Sequence, residues 1–183
     1  MRRFSAIVIA VLAFGALSGV AAYQKMRPQA ASAGGDHWQE VAWPYPRDGW
    51  PAGRAFRCDD CGNDIELYVR PKIGFCNCDT GVADDDEVDR VADLDLISER
   101  YAPLAPGKVI RVADMSGRSR AYDLDMAGGV RHRAVGIAVS HRCDVLVAVV
   151  QGRARTDELQ HAALQFLQTG EMKHWMMAAL GGG

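Results

Sequence analysis

Four cysteines fall within 21 residues: Cys58-Asp59-Asp60-Cys61, then Cys76-Asn77-Cys78, with fourteen residues between the pairs. Sulfur at this density has three chemistries. Thiolates at CxxC and CxC spacing can converge on a tetrahedral ion, so Cys58, Cys61, Cys76 and Cys78 form a candidate zinc or copper set. The second spacing is one residue short of the usual zinc-knuckle pair. In an oxidising compartment the same residues become disulfides, and this is the expectation adopted here. Thiol–disulfide exchange is the third possibility. It is disfavoured because Asp59 and Asp60 would raise the thiol pKa and suppress the attacking thiolate. Gly62 and Gly74 supply turn freedom beside the pairs. Cys143 is the odd cysteine; it can pair back to the cluster and leave one clustered cysteine out.

Other metal-binding side chains are weaker candidates. Nine acids lie between residues 79 and 99 against one base, Arg90. Carboxylates attract calcium, but the spacing is not that of an EF-hand, so a solvated acidic face is expected. Met172, His174, Met176 and Met177 surround Trp175 and offer copper(I) ligands, yet helical spacing explains Met172 and Met176 equally well as core. His132 and His141 lie among arginines without an obvious carboxylate partner. No nucleophile elbow and no phosphate-binding glycine loop is present. With no catalytic constellation in the sequence, no catalytic residue is assigned, and the expected function is binding.

The compartment follows from the N-terminus. Phe4 to Tyr23 contains no charged residue, and Arg2 and Arg3 precede it. Twenty residues at helical rise span about 30 Å, enough to cross a bilayer. The basic flank sets a cytoplasmic N-terminus. Residues 1–23 are therefore expected to be a retained membrane helix, with the following domain in the periplasm. Cleavage after Val20-Ala21-Ala22, which would give a soluble periplasmic protein, is the alternative. Beyond residue 35 the chain holds 17 basic and 23 acidic residues, a net charge of -6, which argues against a nucleic-acid partner. The expected partners are the membrane, through residues 4–23, and a protein or envelope component.

Residues 24–36 read as a flexible linker, and 37–183 as one exported α+β domain. Residues 38–56 hold Trp38, Trp43, Trp50, Pro44, Pro46 and Pro51, which predicts an extended aromatic arm in which proline prevents regular pairing. Ile65 to Arg70 alternates as a strand, ended by Pro71. Asp84-Asp85-Asp86-Glu87 starts a short helix whose buried side is Val88, Val91 and Leu94. Lys108–Ala113 and Arg118–Leu124 pair through a Ser116-Gly117 turn, and Val135–Ser140 with Val145–Val150 form the clearest hairpin. A helix capped by Thr156 runs to Gly170, and a second carries Met172, Trp175, Met176, Ala179 and Leu180 on one side. The sum is a small, mainly antiparallel sheet with two C-terminal helices.

Trp43-Pro44, Trp50-Pro51-Ala52-Gly53-Arg54-Ala55-Phe56-Arg57-Cys58, Gly74-Phe75-Cys76-Asn77-Cys78 and Gly81-Val82-Ala83-Asp84-Asp85-Asp86 make a pattern. With Gly117 to Tyr122 and Arg142-Cys143-Asp144 it resembles a family of uncharacterised bacterial membrane-anchored proteins. The resemblance implies an exported domain behind an N-terminal membrane segment. It implies no activity or site residue.

Overall fold

Strands built from β-branched residues and bounded by turns dominate the chain from residue 37 onward. The structure is a computed structural model describing residues 37–46, 48–62, 64–75 and 78–181. The expected membrane segment, the linker and Cys76 lie outside the described residues. Among the described residues no helix is long and apolar enough to cross a membrane.

Eight strands form one antiparallel sheet: β1 Trp38–Val41, β2 Arg54–Cys58, β3 Ile65–Lys72, β4 Tyr101–Pro103, β5 Lys108–Val112, β6 Met115–Asp125, β7 Arg131–His141 and β8 Asp144–Gly152. Their spatial order is β1-β2-β3-β8-β7-β6-β4, with β5 also pairing β6. Helices α1 (Asp85–Val91) and α2 (Leu94–Ile97) interrupt the strands, while α3 (Thr156–Leu167) and α4 (Gly170–Gly181) close the chain. The fold is thus α+β, as the sequence predicts, but the sheet is larger than expected.

Both faces of the sheet are covered. Leu67, Val69, Ile137, Leu146 and Val150 face Leu159, Ala163 and Leu167 of α3 and Met172, Met176 and Leu180 of α4. Tyr122, Leu124, Ala138, Val147 and Val149 face Val88, Val91 and Leu94 of the two short helices. Coverage on both sides explains why β8 reads as a nearly continuous apolar run rather than an alternating one. Met172 and Met176 are fully buried in this core, consistent with the packing explanation of their spacing.

Several local expectations need correction. Residues 38–41 and 54–58 pair as strands, so among the described residues only 42–46 and 48–53 remain as an unpaired arm. Pro71 does not end β3, which continues to Lys72 with Pro71 opposite Leu146. The pairing with β2 stops at Val69, so beyond it β3 has a single neighbour and tolerates a missing donor. The β5–β6 turn is at Ala113-Asp114, where Ala113 has φ +52°, and Ser116 and Gly117 belong to the strand. The α3 cap is Arg155 rather than Thr156, and its backbone N–H donates to Glu158 in the first turn. Gly170 opens α4 instead of closing α3.

Candidate functional site

Alternation along β3 puts Glu66, Tyr68, Arg70 and Lys72 on the face opposite Ile65, Leu67 and Val69. Arg70 and Lys72 are only 2% and 5% exposed, which for cations demands partners. Asp93, in the corner between α1 and α2, supplies one, accepting from Arg70 Nε at 2.6 Å and Nη2 at 2.5 Å. The second comes from the arm: Asp48 accepts from Arg70 Nη1 at 2.9 Å and Nη2 at 2.7 Å. Two carboxylates therefore grip one guanidinium, both bidentately. Lys72 donates to the Val91 carbonyl at 2.8 Å and lies 2.8 Å from Asp93. The Arg70 hydrogen bond holds Asp48 down at a pKa of about 2. Burial alone would lower the pKa of Arg70, but its bonds to Asp93 and Asp48 outweigh that and raise it.

The arm's aromatic rings roof this cluster. Trp43 lies over Arg70 and edge-on to Tyr45 and Tyr68; Trp50 meets Phe75 edge-on at 5.2 Å and stands over Lys72. Trp43, Tyr45 and Trp50 are half-buried, while Pro44, Pro46 and Pro51 are exposed. Each ring has one side on the domain and another toward solvent. Burial pushes the Tyr45 phenol up to about 12.

A polar chain continues from the arm across the sheet. Tyr68 donates to Glu66 at 2.5 Å, Arg57 donates to Glu66 at 2.9 Å, and Gln151 Nε2 donates to it at 2.9 Å. A carboxylate only accepts, so the Gln151 amide is oriented with its oxygen toward His132 Nδ1, 2.6 Å away. Nδ1 of His132 therefore carries a proton and donates to the Gln151 oxygen. Burial would raise the Glu66 pKa, but donors from Tyr68, Arg57 and Gln151 lower it overall. Tyr68 is raised, first by burial and then by Glu66.

The cysteines form two disulfides, Cys58–Cys61 and Cys78–Cys143, with Cα separations of 5.5 and 4.3 Å. Three of the four candidate ligands are thus bonded, and Cys76 lies outside the described residues. Among the described residues no group of three or more metal-binding side chains converges. The two bridges differ in weight. Cys78–Cys143 spans 65 positions and ties the segment before α1 to the β7–β8 turn. Chain entropy assigns it about 4 kcal/mol, against about 2 kcal/mol for the bridge spanning three positions.

The acidic run is not a plain solvated face. Asp85 accepts from Arg118 at 2.7 Å and from the Gly107 N–H at 2.8 Å; Asp89 accepts from Arg120 at 2.6 Å and Tyr122 at 2.5 Å. Arg118 and Arg120 lie inside β6 and pair with Asp85 and Asp89 of α1. The Gly107 and Arg118 hydrogen bonds hold Asp85 below the usual carboxylate range.

Sequence reasoning missed the cluster of Asp48, Arg70, Lys72 and Asp93. A signal existed: Arg70 and Lys72, two cations two residues apart, share one face of a strand whose opposite face is apolar at Ile65, Leu67 and Val69. It identified cations on one face without naming the carboxylates that meet them.

These features define a disulfide-bonded α+β domain with both sheet faces covered and an aromatic arm clamped over a buried ion cluster. The chain matches no family model and no curated protein. Among solved structures it is similar to PA94, a protein of unknown function from Pseudomonas aeruginosa, with 16% identity over 78% of this chain and 85% of that chain and a TM-score of 0.36.

Proposed function

We propose that this protein is a non-enzymatic, membrane-tethered periplasmic domain that binds a protein or envelope component through the arm at residues 42–53. The observation that carries the reading is the posture of the arm. Trp43, Tyr45 and Trp50 are half-buried and alternate with exposed prolines, and a bidentate ion pair fixes their backbone to the sheet. Rigid aromatics with one free edge lose little entropy on binding, which is why such residues anchor interfaces. Two disulfides support an oxidising compartment. The uncharged run from Phe4 to Tyr23 behind Arg2 and Arg3, and the resemblance to membrane-anchored proteins, support the tether.

The test has two parts. The full chain should stay with inner membranes through an alkaline wash, and deletion of residues 4–23 should release it to the periplasm. The released domain should sediment with isolated envelopes, and Trp43→Ala with Trp50→Ala should reduce that retention at least tenfold. Retention indifferent to both tryptophans would overturn the arm as the binding surface. Substrate turnover abolished by one side-chain change would overturn the non-enzymatic reading. A metal-handling role for Cys58, Cys61, Cys76 and Cys78 requires the bridges to open first. Stoichiometric zinc or copper in protein isolated from the periplasm, lost on Cys→Ser substitution, would establish it.

A further inference from the structure

The two bridges close loops of very different length and sit in very different places. Cys78–Cys143 joins segments 65 positions apart. Cys58–Cys61 closes a short loop at the end of β2, beside the sheet's edge strand. That loop holds the start of the domain. The Asp59 N–H donates to the His37 carbonyl at 3.2 Å, and Asp60 lies 3.3 Å from His37 Nδ1. Cys58 is directly opposite Trp38, the first residue of β1, and Trp38 stacks on Phe166 of α3 at 5.1 Å. β1 has four residues and pairs with β2 alone among the described strands. A strand so short depends on its end contacts to stay paired.

The two sulfurs are not equally open. Cys58 is 3% exposed, whereas Cys61 is half-buried. We infer that Cys58–Cys61 is a reducible clamp, entered at Cys61 by a dithiol reductant, and that its opening releases β1 from the edge of the sheet. A thiolate of the dithiol attacks Cys61 Sγ, the Cys58–Cys61 bond breaks, and Cys58 leaves as a thiolate that takes a proton from water. The second thiol of the reagent then attacks the mixed disulfide. It releases Cys61 as a thiol and leaves the reagent as its own disulfide, so two electrons and two protons pass to the pair. After the first attack Cys58 stays beside Cys61, with Cα atoms 5.5 Å apart, and can re-attack the mixed disulfide, which makes the clamp resistant to monothiols and dependent on a reagent that completes the second step within one molecule. Once the ring is open, the 59–60 loop no longer fixes His37, and β1 frays from Trp38.

The experiment titrates the folded full-length chain, and in parallel its Cys76→Ser variant, with dithiothreitol. Thiols are trapped by alkylation and mapped by peptide mass, and backbone amide exchange is followed in the same samples. Cys58–Cys61 should open at a dithiol-to-disulfide ratio at least tenfold below that needed for Cys78–Cys143. Exchange at residues 38–41 should then rise at least tenfold while β7 and β8 are unchanged. The same result in the Cys76→Ser variant shows that reduction, not exchange with the fifth cysteine, opens the bridge. Simultaneous opening of both bridges would overturn the inference, as would opening of Cys58–Cys61 with no change at residues 38–41. The double variant Cys58→Ala, Cys61→Ser should show the fast exchange without reductant. These readouts are independent of envelope binding by the arm, so failure here leaves that reading standing.

Discussion

Replacing Asp48 by asparagine tests whether the arm is held by charge. The substitution keeps the size of the side chain and one acceptor but removes the carboxylate that grips Arg70 at 2.9 and 2.7 Å. In the folded protein the Asp48 pKa falls from 3.8 to about 2. A difference of roughly 1.8 units is worth about 2 kcal/mol at about 1.36 kcal/mol per unit. The Asp48 side chain is 28% exposed, so screening by solvent brings the expected loss nearer to about 1 kcal/mol. For a domain of this size that corresponds to a fall of about 2–4 °C in Tm. The pH dependence has a definite sign. A carboxyl depressed on folding contributes its full stability above its unfolded value near 3.8 and loses it as pH falls through about 2. The gap between wild type and Asp48→Asn should therefore be full at pH 7, about half as large at pH 3, small near pH 2, and absent only at lower pH. Urea unfolding followed by tryptophan fluorescence reads this directly, because Trp43 and Trp50 report on the arm. A gap that stays constant from pH 7 to pH 3, or one below about 0.3 kcal/mol at pH 7, would refute an electrostatic hold.

Asp93→Asn should cost more than Asp48→Asn, about 3–5 kcal/mol by urea unfolding, because it strips buried Arg70 and Lys72 of their shared carboxylate. Replacing Cys78 and Cys143 together by serine should lower stability by about 4 kcal/mol, to be measured as a shift in the denaturant midpoint of the oxidised proteins. Gly117→Ala should destabilise by about 1–3 kcal/mol, since its new Cβ would run into the Ala138 carbonyl and the Val139 Cα across the β6–β7 pair, backbone that a rotamer change cannot move. Met176→Ala should cost about 2–5 kcal/mol as a cavity under the sheet, and bound copper, measured on the same samples, should be unchanged.

Periodicity sufficed for much of the secondary structure. The β7–β8 hairpin, the first short helix with Val88 and Val91 buried, and the C-terminal helices with Met172, Met176 and Leu180 inward are all legible in residue spacing. These elements place their own apolar residues on one side, or on both, whatever lies beyond. The strands at residues 38–41 and 54–58 were obscured by intervening prolines, and they exist because β3 offers an edge to pair with. Likewise the continuation through Pro71 depends on where β2 stops.

The cysteine cluster shows the division most sharply. The sequence by itself determined that sulfur chemistry centres on residues 58–78, that Cys143 sits in a hairpin turn, and that the chain bears an uncharged N-terminal run behind two arginines. It left the pairing open, because five cysteines carry no statement about distance. The tertiary structure decided it, by bringing the β7–β8 turn to Cys78 and curling the end of β2 onto itself. The ion cluster follows the same rule. Arg70 and Lys72 mark a charged stripe in one dimension, but Asp48 lies 22 residues before Arg70 and Asp93 lies 23 after it. Periodicity reports only which side of its own element a residue occupies. Which opposite charge arrives there is set by how the arm and the two short helices pack on the sheet, and that is settled by burial and charge pairing among segments far apart in the chain.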